Sequence, residues 1–333
     1  MIRDRRCDRS KTVAGLVLLS VLLASGGYPA MGEVVTAESA AETEPASTES
    51  EEEIESEATP EQEATPPGEA PKRKRRILKR LGPQGLTSEQ EAEAERLRKL
   101  AAKYGTDPTA IVGRVQLSSQ YLDLPQSANA TATVARVDLP FRGNYLLRFD
   151  MPFLKTVDPN RPGATNLRGL SDLNVTAGWR AYNTPEYAVL VGALTTFPTA
   201  DETGLGLGKY TVGPILASAR FVPQWDSFLI GLVQYQTAVG GDPSRSDVSL
   251  FSTAVQVNSF WAKKWWTVVN AVWQVNFVQN AKSSMTMEFE GGRNLVGTLG
   301  AYVRPGVGIW GRDLPGSYIW NIEVGVRYMF KTF

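Results

Sequence analysis

The chain has 333 residues, with 35 basic and 35 acidic side chains, so its formal charge is zero. It contains no histidine and one cysteine, which removes Ser-His-Asp and Cys-His machinery, most zinc sites and any disulfide. Acyl chemistry with a histidine base is excluded with them, so neither an enzyme nor a cofactor or metal is expected.

In chain order, the first element is a targeting segment over residues 1–32. Arg3, Arg5, Arg6, Arg9 and Lys11 precede an apolar run from Val13 to Ala24, which is too short to span a bilayer as a helix. Ala30-Met31-Gly32 fits the small-x-small cleavage rule and places the mature start near Glu33. Cys7 lies upstream of the apolar run, where it cannot anchor a lipid in the usual way. No later segment is apolar for long enough to be a transmembrane helix, and the mean hydropathy is slightly negative.

Residues 33–86 read as a disordered linker, acidic and then basic. Glu33 to Pro71 carries acidic charge only, among Ala, Thr, Ser and Pro, with too little apolar surface to offset the entropy of ordering. The basic cluster from Lys72 to Arg80 follows. It suits a solvated linker paired with its acidic neighbour or, less conservatively, contact with anionic lipid headgroups or the cell wall. A short periplasmic helix is signalled over 87–105. Ser88 and Glu91 are spaced as a capping box, Leu97, Leu100, Ala101 and Tyr104 form one stripe, and Gly105 stops it. It could plug a barrel mouth, but a helix capping or floating beside the barrel is the preferred expectation.

From about residue 110 to 333 the period changes to two, predicting an all-β fold: a closed antiparallel transmembrane barrel of about twelve strands. In 145–153, Tyr145, Leu147, Phe149, Met151 and Phe153 alternate with Leu146, Arg148, Asp150 and Pro152. The expected strands are 114–122, 131–141, 145–154, 171–183, 187–197, 210–222, 228–239, 247–259, 265–279, 284–290, 295–310 and 318–330. Most suit a tilted crossing of about 10 residues, and 284–290 is the weakest of them.

Alternation alone does not separate a barrel from a soluble sandwich, but three further features do. Aromatic residues recur near strand ends on the apolar parity: Phe141, Tyr145, Phe153, Tyr187, Phe197, Phe221, Tyr318 and Phe330. Connections alternate between long (123–130, 155–170, 198–209) and tight (142–144, 184–186, 291–294), as external loops and periplasmic turns do, which puts both termini in the periplasm. Finally, Glu323, Gly325, Tyr328 and Phe330 resemble the assembly signal of outer-membrane barrels, Phe333 falling on the opposite parity from Phe330. The expected partners are therefore outer-membrane lipid, the barrel-assembly machinery and a small solute, with no nucleic acid.

The polar parity assigns Arg114, Arg136, Asp138, Arg148, Asp150, Asp172, Arg180, Arg220, Arg304, Glu323 and Arg327 to the lumen. With Phe141 and Tyr145 both outward, a three-residue turn sets Arg136 opposite Asp150 and Arg148 opposite Asp138. These groups either brace one another or line a narrow polar pathway. Seven arginines against four acids would favour anions mildly. Twelve strands lie between filled eight-stranded barrels and wide porins.

Residues 197–209 form a glycine-rich connection. A phosphate-cradling use of Gly204, Gly206 and Gly208 lacks the strand-to-helix context; a mobile or folded-back external loop is expected. Gly169-Leu170-Ser171-Asp172-Leu173, Phe197-Pro198-Thr199-Ala200-Asp201 and Gly213-Pro214 resemble the MetA-pathway-of-phenol-degradation family of outer-membrane transporters over about 110–333, although that family usually has glycine where Ala200 stands. The resemblance implies a small barrel that moves small, hydrophobic or aromatic molecules, and no catalytic residues. The expected function is a passive outer-membrane channel, the alternative a non-transporting barrel that anchors a periplasmic extension.

Overall fold

The computed structural model describes residues 87–262 and 264–330. The expectations for the targeting segment, the acidic and basic linker and Phe333 lie outside them.

One helix, α1 (Ser88–Tyr104), precedes thirteen strands: β1 (Gly113–Asp123), β2 (Asn129–Phe141), β3 (Tyr145–Asp158), β4 (Leu167–Gly169), β5 (Leu173–Asn183), β6 (Tyr187–Phe197), β7 (Lys209–Val222), β8 (Ser227–Gly241), β9 (Ser249–Trp261), β10 (Trp265–Asn276), β11 (Lys282–Val296), β12 (Leu299–Trp310) and β13 (Trp320–Phe330). Twelve form a closed antiparallel barrel, in which each pairs with its barrel neighbours in sequence and β1 closes on β13. The short β4 pairs only with the far end of β3. Closure leaves no sheet edge, which a membrane-spanning sheet requires.

The outer surface is apolar, because period-two alternation turns one set of side chains outward on every strand. Val115, Leu117, Val303, Ile322, Val324 and Val326 are each about 40–50% exposed. Aromatics flank this band at both ends. Phe141, Tyr145, Trp261, Trp265 and Tyr328 lie near the end where β1 begins and β13 finishes, here the base; Phe153, Phe197, Tyr210, Trp310 and Trp320 lie at the distal end. Two such girdles mark the two interfaces of a bilayer. Phe221 and Tyr318 are exceptions: both are buried and point inward. Phe221 stacks on Phe228 inside the wall, since the inward parity of β7 is odd where that of β6 is even. Tyr318 precedes β13 and belongs to the loop folded over the distal mouth.

The base turns are short: 142–144, 184–186, 223–226, 262–264 and 297–298. The last differs from the expected 291–294, which lies within β11. Gly291-Gly292 reads as turn chemistry, but Gly292 is small for another reason. A Cβ there would overlap the indole of Trp266, so the glycine makes room for an inward tryptophan.

Candidate functional site

Segments fold into the lumen at both ends, and a polar chamber lies between them. At the base, α1 lies in the mouth rather than beside it, contrary to the preferred expectation. Its N-cap is Thr87, whose side chain accepts from the Gln90 N–H while Gln90 reciprocates; the box is one residue earlier than Ser88 suggested, since Gln90 serves at N3 as well as Glu91 would. Ala94, Leu97, Ala101 and Tyr104 are fully buried, which amphipathic spacing allows only if one face enters the barrel. Tyr104 stacks on Trp266 with ring centroids 5.3 Å apart and meets Phe260 at 5.5 Å. Two rim contacts strap the helix across the opening: Arg96 to Asp226 at 2.5 Å, and Arg98 to the Thr184 carbonyl at 2.7 Å and to Asn183.

Gly105 ends the helix with φ +66°, and residues 105–112 then enter the lumen. Arg114 and Arg327 donate to the Gly105 carbonyl at 3.1 and 3.0 Å. Asp107 accepts from the Thr109 N–H (2.8 Å) and hydroxyl (2.7 Å), holding a tight turn. Burial pushes the Asp107 carboxyl above its ordinary range, against those two bonds and the nearby Arg98 and Arg180 charges. Ile111 packs on an inner apolar patch of Leu190, Leu194, Ile215, Ala217 and Leu232, so the segment reaches from the charged wall to an apolar one.

The charged wall runs along β3, β2, β1, β13, β12 and β11. Arg136 pairs with Asp150; Asp138 accepts from Arg148 at 2.8 Å and from Arg114 at 2.6 Å. The register sets Arg136 opposite Asp150 and Asp138 opposite Arg148, as the three-residue turn predicts. Arg304 bridges Glu290 (2.5 Å) and Glu323 (3.0 Å), Arg327 meets Glu290 at 2.5 Å, and the Trp266 indole N–H donates to Glu290 at 2.6 Å. Tyr302 donates to Glu323 at 2.5 Å and accepts from Gln116 at 2.9 Å, and the Arg327 guanidinium lies 4.3 Å from its ring.

Glu288 and Glu290 are the residues that sequence reasoning missed. Both lie on the inward parity of β11 and inside the expected strand 284–290, where Thr286, Glu288 and Glu290 alternate with Met285, Met287 and Phe289, so the signal was present in the sequence. Arg180 keeps the inward parity of β5, opposite Leu190, and also braces the base turn through the Gly143 carbonyl and Asn144. Two expected lumen residues have other places. Arg220 is on the outward parity of β7, half exposed and 3.4 Å from Glu186. Asp172 anchors the distal loop. On the wall itself, Arg114, Arg136, Arg148, Arg304 and Arg327 face Asp138, Asp150, Glu288, Glu290 and Glu323. On this stretch of wall the two signs are equal, so it gives no basis for the mild anion preference.

At the distal end the glycine-rich loop folds back into the mouth. Leu205 is fully buried among Leu122, Ala130, Val157 and Tyr318. Lys155 donates to its carbonyl at 2.8 Å and Ser171 also bonds it. Asp172 accepts from the Ala200 N–H (3.2 Å) and the Leu207 N–H (2.5 Å), and Arg245 donates to the Gly206 carbonyl at 2.7 Å. A side chain at Gly206 would overlap the Asp172 carboxylate. From the other side, Tyr318 and Asn321 donate to Glu288 at 3.0 and 3.1 Å.

Between the closures lies a cavity of about 110 Å³, lined by Gly105, Thr106 and Pro108 of the inserted segment and by wall residues including Gln116, Gln256, Asn270, Arg304 and Arg327. Among the described residues no cluster of His, Cys, Asp and Glu could hold a metal ion.

No protein-family model matches the sequence, and no curated protein matches it. Among solved structures, the COG4313 outer membrane channel from Pseudomonas putida F1 aligns at a TM-score of 0.52 and 11% identity, covering 67% of this chain and 97% of that one. The NanC porin aligns at 0.41 and 13% identity, covering 65% and 98%. The first of these likenesses is one of fold: the chain has the fold of a small outer-membrane barrel.

Proposed function

We propose that the protein is a passive channel of the bacterial outer membrane for small molecules, held shut at rest by segments folded into its lumen. The observation that carries this reading is what fills the barrel. The helix α1, residues 105–112 and the loop 198–208 are folded into its two ends, while a polar chamber remains between them. A barrel that served only as an anchor would need neither inserted segments nor a cavity. In this reading the short turns, α1 and both termini face the periplasm, and the long loops face outward. The apolar patch on β6 to β8 suits the hydrophobic or aromatic solutes that the sequence resemblance implies. Glu323, Gly325, Tyr328 and Phe330 would serve the assembly machinery, with Tyr328 on the lipid face and Gly325 leaving room for the Tyr302 ring.

Planar-bilayer recording and liposome uptake test this. The full chain should show rare, small openings, and a variant with both α1 straps removed (Arg96→Ala with Arg98→Ala) should open more often. Absence of ion and solute flux in both would favour the second reading, a barrel that anchors the N-terminal extension. The cross-linked ion-pair wall is the feature that reading would explain.

A further inference from the structure

We infer that the chamber binds a small monocarboxylate with an apolar body, and that the inserted segment occupies this site as a stand-in. The inference rests on the channel reading above. Its first support is the convergence of Arg114 and Arg327 on the Gly105 carbonyl. Their side chains are only 9% and 4% exposed. That carbonyl lies at the C-terminus of α1, where the helix dipole places about half a negative charge. Two buried guanidinium groups therefore hold a partial anion. A carboxylate would offer two oxygens and a full charge, making the shorter and stronger bonds of an ionised pair.

Donor capacity is also left over. The Arg327 Nε and the Thr106 hydroxyl are buried without a hydrogen-bond partner.

The second support lies across the lumen. Ile111, six residues beyond Gly105, fills the apolar patch of Leu190, Leu194, Ile215 and Leu232. The segment thus presents a negative end to the guanidinium groups and a branched apolar side chain to the facing wall. A solute combining a carboxylate with a ring or short hydrocarbon offers the same two kinds of group, and its entry would displace the plug.

The test is equilibrium binding of radiolabelled benzoate to the full-length barrel in nanodiscs, with acetate, benzyl alcohol, benzylamine and inorganic phosphate as competitors. Unlabelled benzoate should compete, and each of the others should be weaker by at least about tenfold, equivalent to about 1.4 kcal/mol. Ile111→Ala removes the apolar anchor of the segment without touching the wall, and should tighten benzoate by about tenfold or more. Arg327→Lys keeps the charge but loses the fork, and should weaken it. Benzyl alcohol competing as well as benzoate would overturn the proposal, as would acetate or phosphate doing so, or no change in Ile111→Ala. Conductance of the strap-less variant is read separately. Flux without benzoate binding defeats this inference alone, and benzoate binding without flux defeats the channel reading alone.

Discussion

At the scale of single residues, Glu290 holds the charged wall together. It accepts from Trp266, Arg304 and Arg327, so its removal takes the carboxylate partner of the buried Arg327 and leaves Arg304 to Glu323. Glu290→Ala should cost about 3–5 kcal/mol, read as a lower midpoint of urea unfolding in micelles. Removing Arg220, an exposed rim charge, should cost no more than about 1 kcal/mol. Asp107 gives a second prediction, in pH. Its carboxyl is raised by burial in the seated plug. The stabilisation this group contributes is therefore fully present below the ordinary aspartate value of about 4, and is lost as pH rises through the raised one. The channel should open more often near neutral pH than near about pH 4, and Asp107→Asn should flatten that difference in bilayer recordings.

At the scale of elements, the two closures act in series. The α1 straps (Arg96, Arg98) secure the base and the Asp172 hub secures the distal loop, with no residue shared between them. Opening one end leaves the other as the resistance. Asp172→Ala alone and the strap variant alone should each raise mean conductance slightly, while the combination should exceed the sum of the two. Equal conductance in the single and combined variants would show that one closure carries no resistance. Much of this was legible in sequence. The turn at 142–144 followed from parity, and with it both cross-strand ion pairs. The helix was visible in its caps and stripe. Its seat was not, because the same stripe would suit any apolar surface, and only the barrel mouth decides which surface is there. β11 was shortened because a Gly-Gly pair looks like a turn until Trp266 is seen occupying the space.

At the scale of the whole molecule, the lipid face makes depth-dependent predictions. Val324 lies near the middle of β13 and Tyr145 at the base girdle. Val324→Arg should destabilise the barrel by about 2–4 kcal/mol and Tyr145→Arg by about 0–1 kcal/mol, measured by unfolding in liposomes. Assembly is separable from stability: Phe330→Ala should lower the folded fraction inserted in cells while leaving refolding in detergent near normal. A parallel loss in both would make Phe330 a packing residue only.

The sequence by itself determined a barrel of about twelve strands, the antiparallel order, the lipid-facing surface and the first hairpin register. Each follows from local period and parity, which the backbone enforces wherever a strand forms. Tertiary structure decided what the lumen contains. Whether Asp172 lines a pathway or anchors a loop, and whether Glu288 and Glu290 balance the arginines, depends on segments distant in sequence meeting inside a closed wall. So does the place of α1 and residues 105–112 in the mouth. Their burial is a property of the enclosure, and it exists only once β1 has closed on β13.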